Sequence, residues 1–333
     1  MKQIYIADAF TSEKFGGNPA GVVILRQGED FPDAELMRKT AAELRYSETA
    51  FIRPMPAEEL EQVLESIFNP SDAGSAGANP PDADTGTLRP PAGLRPQDID
   101  GGFEVRYFTP AAEVDLCGHA TIASYYCLKD AGLCDTGGTY LNRAKAGDLL
   151  IDVAGDQILM DMAAPRQIGD IRSPEELQEL YAVLGIDYCD LDLVPRLIST
   201  GLPDIILPVA SREVLAAIDP DFPALSALSE RYGVTGVHAF ALGHEGEKIT
   251  AYCRNFAPLY DIDEEAATGT ASGALTYYLV RSGLVRGDRC RFIQGEAMGR
   301  PSEIRSVIRR DGNGIQIRVG GSAAILVKGR IDL

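Results

Sequence analysis

Positive charge is in short supply in this 333-residue chain. Lys and Arg number 31 against 49 Asp and Glu, a net charge of −18. Nucleic acids and anionic membrane surfaces are recognised by basic patches, so neither is an expected partner. Histidine is scarce too: His119, His238 and His244 are the full set, and no metal-ligand spacing joins them. The six cysteines, Cys117, Cys127, Cys134, Cys189, Cys253 and Cys290, include no Cys-x-x-Cys pair. With no signal-peptide h-region at the start, they read as reduced thiols and the cytoplasm as the expected compartment. A Gly-x-Gly-x-x-Gly after a strand, a P-loop and a Gly-x-Ser-x-Gly elbow are all missing, so the sequence supports neither a nucleotide cofactor nor a metal.

What is present is ordinary globular composition, 45% hydrophobic and 24% charged, at a length that suggests two domains. Two stretches dominate it. Gly118 to Gly132 and Gly269 to Gly283 share their spacing, open on small or hydroxylated residues, and run about ten residues before Lys129 or Arg281 brings the first charge. A helix with no polar face is buried all round. Both runs are shorter than the roughly 20 residues a membrane span needs. The closing glycines read as helix stops.

The repetition extends outward. Arg106-Tyr107-Phe108-Thr109-Pro110 is answered by Arg254-Asn255-Phe256-Ala257-Pro258, and Gly17 to Leu25 by Gly201 to Leu207. Phe-Pro-led helical stretches follow at Phe31 and Phe222, then strands containing Ala50-Phe51 and Ala239-Phe240. Four features in one order predict a duplicated domain, each half wrapping strands around one buried helix.

In chain order, strands are expected at 3–10, 22–25, 47–52, in 139–162, 198–209 and 237–254, and in four segments after 290. Helices are expected from Pro32, at Ala57 to Phe68, Pro174 to Leu184, Arg212 to Ile218 and Pro223 to Tyr232. Residues 70–96 hold six of the twenty prolines and four glycines, and read as a surface insertion too polar to offset its ordering entropy. Many scattered strands and few helices point to an α+β class.

The chemistry is less explicit. Two helix N-termini carrying Gly118-His119 and Gly269-Thr270 would favour a substrate carboxylate. An acid or base beside it could move a proton on the neighbouring carbon. Taken alone, Glu48 reads as an edge or solvent-facing residue, since burying it within an apolar strand is costly. Two readings stand for Asn18: lining a site, or shaping the turn before Pro19. Cys117 is either a small buried residue or a thiol whose pKa the helix N-terminus lowers, able to act as a base. Tyr125, Tyr126, Tyr277 and Tyr278 read as core, and Arg106 and Arg254 as structural partners for the acidic excess.

Gly17-Asn18-Pro19-Ala20, Ser47-Glu48-Thr49-Ala50-Phe51, Arg106 to Pro110, Gly118-His119, Ala266 to Ala271 and Gln294-Gly295 through Gly299 to Ser302 come in an order that resembles the PhzF-like family, the phenazine-biosynthesis isomerases. The resemblance covers nearly the whole chain except the proline-rich insertion. It implies the diaminopimelate-epimerase-like α+β fold, two pseudo-symmetric mixed β-barrel domains each around a central helix. The domains would be 1–135 with about 323–333, carrying the insertion at about 70–96, and 136–322. It also implies a cofactor-independent isomerase, with no metal, acting on a small carboxylated metabolite, and a homodimer. In the characterised family member the matching Glu shuttles a proton between two carbons of dihydro-hydroxyanthranilate. The catalytic set carried over is Glu48, His119, Glu265 and Thr270, with Asn18, Ser47, Gly118, Thr268 and Gly269 binding substrate. Glu265 stands where the family has Asp and Thr270 where it has Ser, which puts the phenazine precursor itself in doubt. Related racemases of this fold use two cysteines. Cys117 fills the first place, but Ala266 or Ala267 stands at the second. A Cys117-based racemase or dehydratase-type lyase and a silent carboxylate binder are the alternatives.

Overall fold

A computed structural model describes the chain except residues 70–89, 92, 190, 245, 312 and 313. Most of the expected proline-rich insertion therefore lies outside the described residues. The contacts divide the chain into two compact units. The first holds Met1–Lys14, Pro19–Asp161 and Ser322–Leu333; the second holds Phe15–Asn18 and Met162–Gly321. Against an expected boundary at 135, the chain stays in the first unit through Asp161, because the three strands after 138 extend that unit's sheet.

The first unit begins with β1 (Lys2–Ala9), β2 (Asn18–Ile24), α1 (Ala34–Leu44), β3 (Glu48–Pro54) and α2 (Ala57–Phe68). Then come β4 (Gly101–Phe108), β5 (Glu113–Val114), α3 (Gly118–Asp130), β6 (Thr139–Ala144), β7 (Gly147–Ala154) and β8 (Gln157–Asp161). The second unit starts with β9 (Arg166–Asp170), α4 (Pro174–Val183), β10 (Arg196–Ser199), β11 (Pro203–Pro208), α5 (Arg212–Ala216) and α6 (Phe222–Tyr232). It continues with β12 (Gly236–Leu242), β13 (Ala251–Ala257), β14 (Ile262–Glu265), α7 (Gly269–Arg281), β15 (Arg289–Gln294), β16 (Ser302–Asp311) and β17 (Gly314–Gly321). The last strand, β18 (Ala323–Ile331), pairs antiparallel with β1 in the first unit. No helix among the described residues is long and apolar enough to cross a membrane.

The two units repeat one topology. In the first, β2 runs parallel to β3, β3 antiparallel to β4, and β4 parallel to β6, with β5 on β4 and β7 and β8 continuing antiparallel. In the second, β11, β12, β13 and β15 repeat that sequence of directions, with β14 on β13 and β16 and β17 following. The register corrects one equivalence. Thr49 faces Phe108 as Val237 faces Phe256, so Ala50-Phe51 corresponds to His238-Ala239 and not to Ala239-Phe240. Short-range similarity of apolar strands cannot fix a one-residue offset; ladder pairing does.

The helices α3 and α7 are each buried at nine of thirteen positions, as the lack of a polar face over most of their length requires. α3 touches β1, β3, β8 and β18, strands from both ends of the first unit's ladder, so that ladder curls around it. Three of their hydroxyls bond back one turn: Thr121 Oγ1 to Cys117 O at 2.7 Å, Ser124 Oγ to Ala120 O at 2.6 Å, Thr276 Oγ1 to Ser272 O at 2.8 Å. Each avoids the roughly 1–3 kcal/mol cost of an unpaired buried polar group. Both helices end alike. Gly132 and Gly283 take φ of 71° and 72°, and the next residue's N–H returns to a carbonyl five residues back, Leu133 to Leu128 and Leu284 to Leu279. Tyr125 and Tyr278 are fully buried, their hydroxyls donating to Leu141 O and Val194 O. Outside α7, the second unit's core gathers α4, α5 and α6 side chains against β11 and β12.

Candidate active site

Glu48 is the first residue of β3, where Ala20 of β2 lies opposite it. Ser47 precedes it, and α3 delivers Cys117, Gly118 and His119 to the same place. His119 Nε2 lies 3.2 Å from Glu48 Oε2 and 3.3 Å from Ser47 Oγ. Cys117 Sγ lies 3.5 Å from His119 Nδ1 and 3.8 Å from Nε2. The Glu48–His119 contact is an ion pair whose approach misses the alignment of a hydrogen bond, and Oε2 is buried with no aligned donor. Glu48 is thus an enclosed residue beside a charge partner, not the solvent-facing one that its strand alone suggests.

Burial raises the Glu48 pKa, but His119 above all, then Ser47 and Cys117, outweigh it and the net shift is downward. For His119, burial opposes charge, and the Cys117 sulfur and the Glu48 carboxylate reverse it, so its pKa is raised. The thiol goes the other way from the expected helix-dipole effect. Burial first and the Glu48 charge second push Cys117 up to about 11. Burial therefore works against a Cys117 thiolate, where the helix N-terminus alone would favour one. The ligand atoms of Glu48, Cys117 and His119 lie within 4.8 Å of one another, close enough to share one ion.

The remaining sequence-predicted residues gather in the second unit. The buried amide of Asn18 donates to Glu265 Oε1 at 2.9 Å and to Ala267 O at 3.1 Å. Asn18, the first residue of β2, thus ties that strand's start to Glu265 and to the residue before Thr268. Thr268 Oγ1 donates to Glu265 Oε2 at 2.5 Å instead of capping α7, of which it is the N-cap. Gln294 Nε2 donates to Glu265 O at 2.7 Å and Thr268 Oγ1 at 3.1 Å. Gly269 and Thr270 form the first turn of α7, and the Thr270 carbonyl accepts from Thr200 Oγ1 at 2.8 Å.

Neither α3 nor α7 closes its N-terminus with a side-chain cap, whereas Asp33, Ser173, Ser211 and Asp221 cap α1, α4, α5 and α6. Both buried helices thus present an uncapped first turn, suited to an anion. Arg106 pairs with Glu113 and Arg254 with Glu264, each through two hydrogen bonds, in the structural role expected of them.

Two residues escaped the sequence reading. Gln294, part of a matching motif, was given no role. Asp204 opens the apolar run of β11 and is 1% exposed. Burial, then the Glu265 charge, raise its pKa to about 8, against a hydrogen bond from the Gly236 backbone. Its Oδ1 has no partner among the described residues. The signal was the one that singled out Glu48, a lone acid in an apolar strand. The register shows Asp204 opposite Gly236 where Ala20 stands opposite Glu48, so each unit carries one buried acid at the head of the same parallel strand pair.

The family profile described as "Phenazine biosynthesis-like protein" (PhzC-PhzF) matches residues 7–72 and 93–329. It passes over 73–92, within the stretch rich in proline and glycine. An uncharacterized isomerase of Clostridium acetobutylicum is 31% identical over 340 residues, which cover 99% of this chain and 98% of that protein. A phenazine biosynthesis protein of the PhzF family from Bacillus anthracis superposes with a TM-score of 0.76 at 24% identity, over 100% of this chain and 99% of that one. A hydroxyproline epimerase from Agrobacterium vitis superposes with a TM-score of 0.55 at 10% identity, over 98% and 91%. These last two are likenesses of fold. The fold is the expected α+β, diaminopimelate-epimerase-like one.

Proposed function

We propose, on the premise that the chain belongs to the phenazine biosynthesis-like (PhzC-PhzF) family, that it is an isomerase moving one proton within a small carboxylated molecule, with Glu48 as general acid and base. The observation that carries this reading is the enclosed Glu48 carboxylate held 3.2 Å from His119 Nε2. With its pKa lowered, Glu48 is ionised at neutral pH and able to accept a proton. It takes a proton from carbon, the C–H electron pair moves into the adjacent unsaturated system, and the Glu48 carboxyl returns the proton to another carbon. Atoms and electrons balance with no oxidant. His119, held by Glu48 and Ser47, sets the basicity of the pair: a charged imidazole keeps the carboxylate weak, and loss of its proton strengthens it.

Within the second unit, Glu265, oriented by Asn18 and Thr268, is assigned to substrate orientation or proton relay, with Thr270 and the uncapped first turn of α7. Gly118 and Gly269 are assigned to substrate binding, each through the backbone N–H groups at the first turn of its own helix. The reading takes a homodimer as the assembly, and neither nucleic acid nor membrane as partner. The thiol-based lyase is the weaker alternative, because a thiol with a pKa of about 11 is a poor source of thiolate.

A thermal-shift screen of small unsaturated and amino carboxylates, followed by NMR of the best hit in D2O, tests the proposal. Wild type should wash deuterium into the substrate. Glu48→Gln should lower the rate by at least about 10²-fold, the usual contribution of a positioned acid or base. Exchange kept in Glu48→Gln and lost in Cys117→Ser would move the chemistry to the thiol, and binding without exchange in wild type would make the protein a binder.

A further inference from the structure

We propose that Glu48, Cys117 and His119 form a binding site for one Zn²⁺-class ion, which switches the proton-transfer centre off. The switching rests on the function proposed above; the site does not. Cys117 and His119 flank Gly118 at the start of α3, and Glu48 arrives from β3, so no local ligand spacing announces the set. The geometry does. Tetrahedral Zn²⁺ with bonds of about 2.3 Å to sulfur and about 2.1 Å to nitrogen and oxygen places S and N about 3.6 Å apart, and N and O about 3.4 Å apart. Here Cys117 Sγ is 3.8 Å and Glu48 Oε2 is 3.2 Å from the same nitrogen, His119 Nε2. The three donor atoms lie within 4.8 Å of one another, and Cys117 Sγ, now 3.5 Å from Nδ1, has only to turn toward the Nε2 side to join Glu48 and His119 around one ion.

The donor set chooses the ion. One sulfur, one imidazole and one carboxylate suit Zn²⁺ or its close analogues, whereas Mg²⁺ and Ca²⁺ want oxygen throughout. Three protein ligands leave a fourth position for water, the pattern of an exchangeable site and not of a closed structural one. Binding releases the Cys117 proton and, where His119 is charged, its proton as well. The ion then occupies the Glu48 oxygen that would take a proton from carbon. An isomerase that needs no metal would in this way be inhibited by one.

Titration of the full chain with Co²⁺ tests the site without reference to turnover. A sulfur-to-cobalt charge-transfer band and visible bands of four-coordinate Co²⁺ should saturate at one equivalent and disappear when Zn²⁺ is added. They should persist in Cys189→Ser, which removes the exposed thiol, and vanish in Cys117→Ser. Glu48→Gln should weaken Co²⁺ by more than the roughly tenfold that losing an outer-shell partner costs. Circular dichroism establishes that each variant is folded. Absence of the bands in wild type, or their survival in Cys117→Ser, overturns the site. With a turning-over substrate, one equivalent of Zn²⁺ should abolish deuterium exchange and EDTA should restore it; exchange indifferent to bound Zn²⁺ overturns the switch. Bands without any exchange would leave the ion site standing and count against the isomerase, and exchange without bands the reverse.

Discussion

The amide of Asn18 donates to the carboxylate of Glu265 at 2.9 Å, joining residues 247 apart in sequence. Phe15–Asn18 belongs to the second unit, where the Gly17 N–H also reaches Pro301 O and the Arg300 guanidinium donates to the carbonyls of Gly16 and Gly17. Asn18→Ala removes a donor from a part-buried carboxylate and from Ala267 O, and should cost about 1–3 kcal/mol. Asn18→Asp, which sets a second negative charge against Glu265, should cost more. Urea unfolding of both variants checks the order; an Asp variant as stable as the Ala variant would show that Glu265 does not depend on this amide.

Asp204 makes stability fall with pH. Its folded pKa of about 8 exceeds the unfolded 3.8, so between these values the native state binds more protons and each rise in pH favours unfolding. About four units at 1.36 kcal/mol each amount to something on the order of 5 kcal/mol. Asp204→Asn removes this term. Its stability relative to wild type should grow from about pH 4 to about pH 8 and then level off. A pH-independent difference in urea titrations would contradict the assignment.

Arg254 and Arg106 hold equivalent places but differ in burial. The Arg254 side chain is 11% exposed and also donates to the carbonyls of Leu215 and Ile218; that of Arg106 is 31% exposed. Arg254→Ala leaves Glu264 without its partner and takes a donor from two buried carbonyls, and should cost about 3–5 kcal/mol. Arg106→Ala should cost about 1 kcal/mol or less. Similar losses in thermal unfolding would mean that the repeated position, and not the burial, sets the cost.

Cys117 should resist alkylation. Buried, with a pKa of about 11, it presents almost no thiolate at neutral pH, whereas Cys189 is exposed. Iodoacetamide labelling followed by mass spectrometry should modify Cys189 well before Cys117. Equal rates would restore the activated thiol that the helix N-terminus alone suggests.

The parts legible in the sequence are those written in local pattern. The charge-free runs identified α3 and α7, their glycines marked both C-termini, and apolar periodicity gave α4 and α6. Strand β9 escaped because its five residues carry no alternation, four of them being exposed. The His238 equivalence slipped by one residue because apolar neighbours look alike until the ladder pairs them. The role expected of Glu48 rests on the family resemblance; its contact with His119 joins separate elements, which no local pattern announces. Asp204 was overlooked because an apolar run reads as core, and a carboxylate at its head reads as a turn residue.

The pairing of β1 with β18 sets Lys2 against Ile331 and Ala9 against Ala323. As the chain leaves the ribosome, its earliest strand waits for one of its latest, and nearly every strand of the second unit is made in the interval. Until then β1 lacks its partner along the β18 edge, where another chain could pair instead. Crowded synthesis should therefore put β1 at particular risk, and a chaperone that shields this strand would protect it until β18 emerges.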